Sequence, residues 1–150
     1  MAELELGAIV DEVDYVVERG KIGEFARATG TEDLVHIDEK SAVAAGFDSI
    51  PATLTHSVVA GHQRDQRGFV EKLGLRMERV VVGSVRWRYV RPLTAGDSLR
   101  GIRRVVADET REGRRGGAMR IVTLETEYRD VTGATILTQE EVLIERGSKE

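Results

Sequence analysis

The chain has 150 residues, the size of one ordinary domain, and its 41% hydrophobic and 32% charged residues are typical of a globular protein. The net charge is −4 and cysteine is absent, which excludes disulfides, thiol catalysis and cysteine-ligated metals and argues against general nucleic-acid binding. An acidic N-terminal segment, with no apolar run of about 18 residues, predicts neither a secretory signal nor a membrane helix, so we expect a cytoplasmic protein without a membrane partner.

The first half of the chain is predicted to be helical, with loops between the helices. A short strand is expected near 13–17, and a helix follows over 21–29, where apolar residues recur at helical spacing. Gly30 stands where such a helix ends. After an irregular polar stretch, a second short helix is predicted over 39–45 and ends at Gly46.

The segment after Pro51 has the composition of a buried helix. Its residues are small or apolar on nearly every side until charge returns at Arg64, so we predict one long helix over about 52–72, opened by Pro51. His56 and His62 are six residues apart, unlike the i, i+4 pair of a zinc site on one helix face. Packing or hydrogen bonding is the expected role of both, and neither a metal nor a cofactor is expected.

The second half of the chain is predicted to be strands. Alternating and β-branched segments predict strands over 80–90, 97–107, 119–130 and 134–146, with a charged, glycine-rich connection over 107–118. Long antiparallel strands that follow one buried helix predict an α+β domain, in which the antiparallel β-sheet wraps around a single long central α-helix.

Three stretches of the sequence carry a resemblance to a known family. They are GEFARATG over 23–30, HIDEKSA through AGF over 36–47, and RPLTAGD over 91–97. Their order and spacing resemble the MaoC-like dehydratases and (R)-specific enoyl-CoA hydratases, and the fatty-acid-synthase-type dehydratase branch above all. The resemblance covers roughly 10–147 and implies a hotdog fold, with the chain 1–150 as one domain.

The resemblance also implies a reaction. The family adds water to 2-enoyl thioesters, or removes water from (3R)-hydroxyacyl thioesters, on coenzyme A or an acyl carrier protein. An Asp and a His hold the water and move protons, while backbone N–H groups at the start of the hotdog helix polarise the thioester carbonyl. This agrees with the physics, because fixed N–H donors stabilise the enolate charge that develops beside a thioester.

The family's catalytic pattern, Gly-Asp-x-Asn-Pro-x-His, is only partly present. The chain has GTEDLVH over 30–36, so His36 matches the family His, and Thr31 stands at the position of the Asp. A threonine holds a water molecule by a hydrogen bond but does not accept its proton near neutral pH. Asp33 is the nearby carboxylate that would replace the missing one. Without the resemblance, His36 and Asp33 are ordinary polar loop residues.

The family's carbonyl-polarising backbone group corresponds to Pro51-Ala52-Thr53 in this chain. Many hydratases have a His-Gly pair here, whereas the dehydratase branch commonly has Pro-x-Thr. The resemblance therefore implies that the donor is the backbone N–H of Thr53 or that of Ala52. The alternative is an ordinary helix start.

A group of arginines in the second half suggests anion binding. The phosphates of coenzyme A or an acidic carrier protein would be the anion, and a solvated sheet face with a charged loop is the alternative. The candidate residues are Arg103, Arg104, Arg114 and Arg115.

Three functions remain open from the sequence. The first is an active hydratase or dehydratase; the second is a non-catalytic, acyl-binding subunit of a heterodimer, which Thr31 favours. A hotdog thioesterase ranks third, since 51–63 contains no Asp or Glu. A single sheet with an uncovered edge predicts a dimer, either a homodimer or a heterodimer with a related hotdog subunit.

Overall fold

The structure, a computed structural model, describes residues 4–114 and 116–147. Within these ranges the chain forms one five-stranded antiparallel sheet in the order β1-β3-β4-β5-β2. The strands are β1 Ile9–Val16, β2 Val80–Tyr89, β3 Ser98–Glu112, β4 Ala118–Arg129 and β5 Thr135–Glu145. The helices are α1 Arg19–Ala28, α2 Glu39–Ala44 and α3 Gln66–Lys72, with 3₁₀ helices at Leu34–His36, His56–Gln63 and Met77–Arg79.

The period-2 pattern that predicted the strands is confirmed most clearly in β4. Its even-numbered residues from Val122 to Tyr128 are buried, while the odd-numbered residues between them are half-buried on the other face. One difference concerns β3, which runs on to Glu112 and pairs with Ala118 at the start of β4. Half of the predicted 107–118 connection is therefore strand, because cross-strand pairing continues through charged residues that remain exposed.

The two short helices of the first half are confirmed. In α1, Ile22 and Ala26 are fully buried against the sheet, as the apolar spacing predicts. At the start of α2, the carboxylate of Asp38 accepts hydrogen bonds from the backbone N–H of Ser41 at 2.9 Å and from its hydroxyl at 2.7 Å. These bonds hold the pKa of Asp38 below its usual value, and they identify Asp38 as a helix cap. In the described ranges, no helix is long and apolar enough to span a membrane.

The prediction of one continuous α-helix over about 52–72 is wrong. Pro51 lies in an isolated β-bridge with Thr94 rather than in a first helical turn. The buried segment is the 3₁₀ helix His56–Gln63, here called the central 3₁₀ helix, and α3 starts separately after Arg64, whose backbone is extended. The small apolar residues of this segment suit either helix type, and the Asp65 carboxylate starts α3 by accepting from the N–H of Gly68 at 2.9 Å.

The core is divided into two hydrophobic clusters on the helix-covered face of the sheet. The first contains Tyr15, Leu99, Tyr128 and Leu137, and lies under α1 and the central 3₁₀ helix. The second is centred on Leu124 and packs against α3. This arrangement places the loops before the central 3₁₀ helix at the edge of the first cluster, where the candidate site lies.

Candidate functional site

A cleft of about 590 Å³ opens beside the first core cluster. One wall is the segment 29–36, which joins α1 to the 3₁₀ helix Leu34–His36. The opposite wall is the segment 51–55, and Phe47 and Pro92 close the sides. The structure thus brings together the sequence-predicted residues of both segments: Thr31, Asp33, His36, Ala52 and Thr53.

A hydrogen bond across the cleft holds the ring of His36. Its Nδ1 lies 2.7 Å from the carbonyl oxygen of Pro51. A carbonyl oxygen only accepts, so Nδ1 carries the proton and donates it. In the neutral imidazole the other nitrogen, Nε2, is then the proton acceptor. The bond therefore fixes the tautomer that a general base needs.

The carbonyl that orients His36 is itself fixed in place. Pro51 forms its β-bridge with Thr94, and the next residue, Ala52, donates its N–H to the carbonyl of Leu93 at 2.8 Å. A proline suits this place because it has no N–H to leave unpaired in the buried wall. The geometry at His36 thus depends on the pairing of 51–52 with 93–94.

The RPLTAGD stretch supports this pairing. Arg91 and Asp97 form a bidentate ion pair, with N–O distances of 2.8 and 2.9 Å. The same carboxylate accepts from the N–H of Thr94 at 2.9 Å. Gly96 has a φ of +93°, which a glycine adopts without strain. The motif therefore builds the turn that carries Thr94 and, through it, Pro51.

Asp33 and Thr31 take different roles in the first wall. One carboxylate oxygen of Asp33 accepts from the N–H of Val35 at 3.1 Å and caps the short helix that ends in His36. Thr31 is half-buried, and its N–H is bonded to the carbonyl of Ala26. Its hydroxyl has no hydrogen-bond partner in the part of the chain that the structure describes, which leaves it free to bind a water molecule in the cleft.

The two candidate carbonyl-polarising donors differ. The N–H of Ala52 is used by Leu93, so it has no capacity for a ligand. The N–H of Thr53 has no acceptor among residues 4–114 and 116–147, and Thr53 lines the cleft. Of the two alternatives left open by the sequence, the structure leaves Thr53 as the available donor.

Comparisons with known proteins assign the family. A family model described as "FAS1-like, dehydratase domain region" matches residues 5–139. The chain belongs to this dehydratase family. A UPF0336 protein of Clavibacter michiganensis is 34% identical over 146 residues, covering 97% of this chain and 95% of the relative. Another UPF0336 protein, from Saccharopolyspora erythraea, is 33% identical over 138 residues, with coverages of 91% and 85%.

Solved structures show the fold of this FAS1-like dehydratase chain. The C-terminally truncated HadBC (3R-hydroxyacyl-ACP dehydratase) complex of Mycobacterium tuberculosis has a TM-score of 0.77 at 22% identity, over 95% of this chain and 99% of that one. The (R)-hydratase of A. caviae has a TM-score of 0.67 at 18% identity, over 95% and 98%. The expected hotdog fold is confirmed, and the family assignment supports a general hydratase or dehydratase role.

A buried histidine, His56, lies beside the cleft of this FAS1-like dehydratase chain. His56 is fully buried, between Phe25 at a ring-centroid distance of 5.4 Å and Tyr15 at 6.2 Å. Neither of its ring nitrogens has a hydrogen-bond partner in the described ranges, and the same holds for the hydroxyl of Thr53, one turn earlier. Burial, with repulsion from nearby positive charge, lowers the pKa of His56 to about 4, so the ring is neutral near pH 7.

The arginines predicted to bind an anion do not form one cluster. Arg103 is buried on the helix-covered face of β3, where Asp11 binds it through two nitrogens. Arg104 follows it on the opposite face and donates to the carbonyl of Gly7 at 3.0 Å, because successive strand residues alternate. Arg114 is exposed in the β3–β4 turn, and Arg115 lies outside the described residues.

Sequence reasoning missed the Pro51 carbonyl, because a backbone acceptor leaves no signature in residue types. It also missed the inward direction of Arg103, although a signal existed. In β3 the inward positions are Leu99, Gly101, Arg103 and Val105, and strict alternation places the arginine among buried residues. To predict the ion pair with Asp11, one would need the register of β1 against β3, and the sequence alone does not give that register.

Proposed function

We propose that this chain hydrates 2-enoyl thioesters and, in reverse, dehydrates (3R)-hydroxyacyl thioesters. The observation that carries the proposal is the Nδ1–H bond from His36 to Pro51, because it leaves Nε2 as a base in a cleft of suitable size. Membership of a dehydratase family supports the reaction class. The substrate, an acyl group on coenzyme A or on a carrier protein, is inferred from the family resemblance.

In the hydration direction, Nε2 of His36 accepts a proton from water as the water oxygen bonds to C3 of the enoyl group. The electron pair of the C2–C3 double bond moves towards the thioester carbonyl and forms an enolate. The imidazolium then delivers its proton to C2, which restores the carbonyl and the neutral histidine. The Pro51 carbonyl stabilises the imidazolium throughout, because its acceptor bond to Nδ1–H strengthens when the ring is charged.

The enolate oxygen needs a donor, and the N–H of Thr53 is the one we assign. Donors fixed by the fold stabilise developing charge without reorganisation. The hydroxyl of Thr31 holds the attacking water, and Asp33 acts as a positioning residue through the turn that carries His36. The arginines are not assigned a role in the reaction.

A second candidate is a non-catalytic, acyl-binding subunit. Two observations favour it: Thr31 stands at the family's Asp position, and one carboxylate oxygen of Asp33 is bonded to the N–H of Val35. The HadBC and ChsH1-ChsH2 complexes of Mycobacterium tuberculosis are assemblies of two different chains. A heterodimer with a related hotdog subunit is the corresponding proposal for this chain.

An activity assay distinguishes the active hydratase from the non-catalytic subunit. The purified chain is mixed with crotonyl-CoA and with a longer enoyl-CoA, and loss of the enoyl-thioester absorbance is followed. An enzyme hydrates at least one of them alone. A non-catalytic subunit does not, and its Thr31→Asp variant gains hydration because the carboxylate is restored beside His36. If the wild-type chain hydrates neither thioester, the proposed activity fails. If the Thr31→Asp variant is also inactive, alone or with a co-purified partner, the second candidate fails as well.

A further inference from the structure

One polar residue from each strand lies at the same level of the sheet. Residues that face each other in an antiparallel ladder point to the same side, and the register pairs Asp11 with Arg103, Arg103 with Thr126, Thr126 with Gln139, and Gln139 with Trp87. We call these five residues the polar row: Asp11, Arg103, Thr126, Gln139 and Trp87.

The middle of the polar row is buried, while Asp11, Gln139 and Trp87 are half-buried. Arg103 and Thr126 are each 4% exposed, and the row runs between the two hydrophobic clusters. On β4, for example, Leu124 belongs to one cluster and Tyr128 to the other, with Thr126 between them. An apolar residue at this level would join the clusters into one core. Buried polar groups reduce stability unless they are paired. A row of polar residues at this level of the sheet therefore suggests a role other than stability.

Part of the polar row is satisfied within the chain. Asp11 accepts from both Arg103 and Arg64, whose side chains are each 5% exposed. Gln139 accepts from the hydroxyl of Ser57 at 2.8 Å, and this hydroxyl accepts from the indole N–H of Trp87 at 2.9 Å. Ser57 belongs to the central 3₁₀ helix, so these bonds tie that helix to the sheet.

The middle of the polar row has hydrogen-bonding groups without protein partners, and there a cavity of about 230 Å³ opens. Across the described residues, neither the hydroxyl of Thr126 nor the amide nitrogen of Gln139 has a hydrogen-bond partner. One terminal nitrogen of Arg103 has only Glu141 at 3.9 Å, which is too far for a hydrogen bond. All four side chains line the cavity. They therefore present donors and acceptors to whatever fills it.

The cavity is polar but electrically balanced. The positive charges of Arg64 and Arg103 are matched by the negative charges of Asp11 and Glu141. A charged ligand would meet a partner of its own sign, so the lining favours a neutral group that both donates and accepts. Valines at positions 58, 82 and 85 also line the cavity and suit the carbon chain that carries such a group.

We propose that this cavity binds a neutral hydrogen-bonding group of the thioester substrate, such as a hydroxyl or an amide, through Thr126 and Gln139. The inference rests on the proposed function, because the catalytic cleft borders residues 51–55 and the cavity borders Ser57, Val58 and Gly61 directly after them. Two parts of a thioester have this chemistry: a hydroxylated acyl chain, and the pantetheine arm with its amides.

The test uses two conservative variants and a matched control. Thr126→Val keeps the shape of the side chain and removes its hydroxyl, and Gln139→Leu removes the amide. Thr123→Val makes the same change on the opposite face of β4, where residue 123 is half-buried. Calorimetry measures the Kd of hexanoyl-CoA, of its counterpart with the terminal methyl group replaced by a hydroxyl, and of free pantetheine. Saturated thioesters avoid turnover.

If the acyl chain is the ligand, the wild type binds the hydroxylated thioester at least about fivefold more tightly, as expected for one hydrogen bond, and both variants abolish the difference. If pantetheine is the ligand, both variants weaken all three probes equally. The thermal midpoint of Thr126→Val is expected to stay level, because the lost hydroxyl has no hydrogen-bond partner within the described residues, so misfolding does not explain weaker binding.

The inference is overturned if both variants bind every probe as Thr123→Val and the wild type do. In that case, hydration of crotonyl-CoA by the wild type would show that the proposed function holds without the cavity assignment. A wild type that binds the thioesters as described but hydrates none leaves the cavity assignment supported and the proposed function refuted. A wild type that binds no acyl thioester overturns both.

Discussion

At the scale of the residue, the site depends on one backbone carbonyl. His36 matches a family motif and was predicted from the sequence, as was Thr31 at the position of the missing Asp. The tautomer of His36 was not predictable, since it is set by the Pro51 carbonyl, 15 residues away in the chain. Chain folding brings such groups together, and the pairing of 51–52 with 93–94 holds the Pro51 carbonyl in place.

His56 gives the stability of the protein a defined pH dependence. Its pKa is about 4 in the folded chain, below the ordinary value near 6.5 that applies when the chain is unfolded. The unfolded state therefore binds the proton more readily, and the free energy of unfolding falls as the pH drops from about 6.5 to about 4. A shift of this size is worth about 3 kcal/mol, and below pH 4 this contribution is gone.

Urea unfolding at several pH values between 7 and 4 measures this loss. His56→Phe replaces the ring by an apolar one of similar size and should remove most of the loss, leaving a flatter profile than that of the wild type. His62→Phe is the matched control, since His62 is exposed, and it should keep the wild-type slope. An equal slope in the His56→Phe variant would show that other groups cause the pH dependence.

At the scale of the element, the structure has two short helices, the central 3₁₀ helix and α3, where one long helix was expected. The strands followed from alternation, and α1 and α2 from apolar spacing and terminal glycines. The central segment misled the prediction, because small apolar residues suit both an α-helix and a 3₁₀ helix, and packing against the sheet decides between them. The extended backbone of Arg64 ends the one helix before Asp65 caps the next.

Asp33 caps the 3₁₀ helix that carries His36, so substitutions of Asp33 should change the rate through the position of His36. Asn also caps helices well, so Asp33→Asn should keep the turn Leu34–His36 and most of the hydration rate. Asp33→Ala removes the bond to the N–H of Val35, and the misplaced His36 should lower kcat several-fold. Steady-state rates on crotonyl-CoA measure both. A large loss of rate in Asp33→Asn would instead make the carboxylate itself the proton acceptor.

At the scale of the whole molecule, the sheet ends in an unprotected edge. Strand β2 pairs only with β5 within the described residues, so one side of its backbone has free N–H and C=O groups over ten residues. The strand contains no proline, and Val82 on it is 56% exposed. A long edge with unpaired backbone groups is open to pairing with another chain, which supports the proposed dimer.

Sedimentation tests the dimer directly. We expect a dimer at micromolar concentration, or a complex with a co-purified hotdog subunit. Val82→Glu places a charge at the β2 edge and should shift the protein towards the monomer. Val131→Glu is the control, because Val131 is 86% exposed in the β4–β5 turn, away from that edge, and its assembly should match that of the wild type. A wild-type chain that sediments as a monomer without a partner would contradict the proposal.

The measurement that tests the central claim most directly is the effect of His36 on enoyl-thioester hydration. His36→Gln removes the base, and kcat/KM on crotonyl-CoA should fall by about a hundredfold or more, in the range expected for general base catalysis. His62→Gln makes the same change on the exposed end of the central 3₁₀ helix and should leave kcat/KM unchanged. Equal hydration by the wild type and His36→Gln would contradict the account.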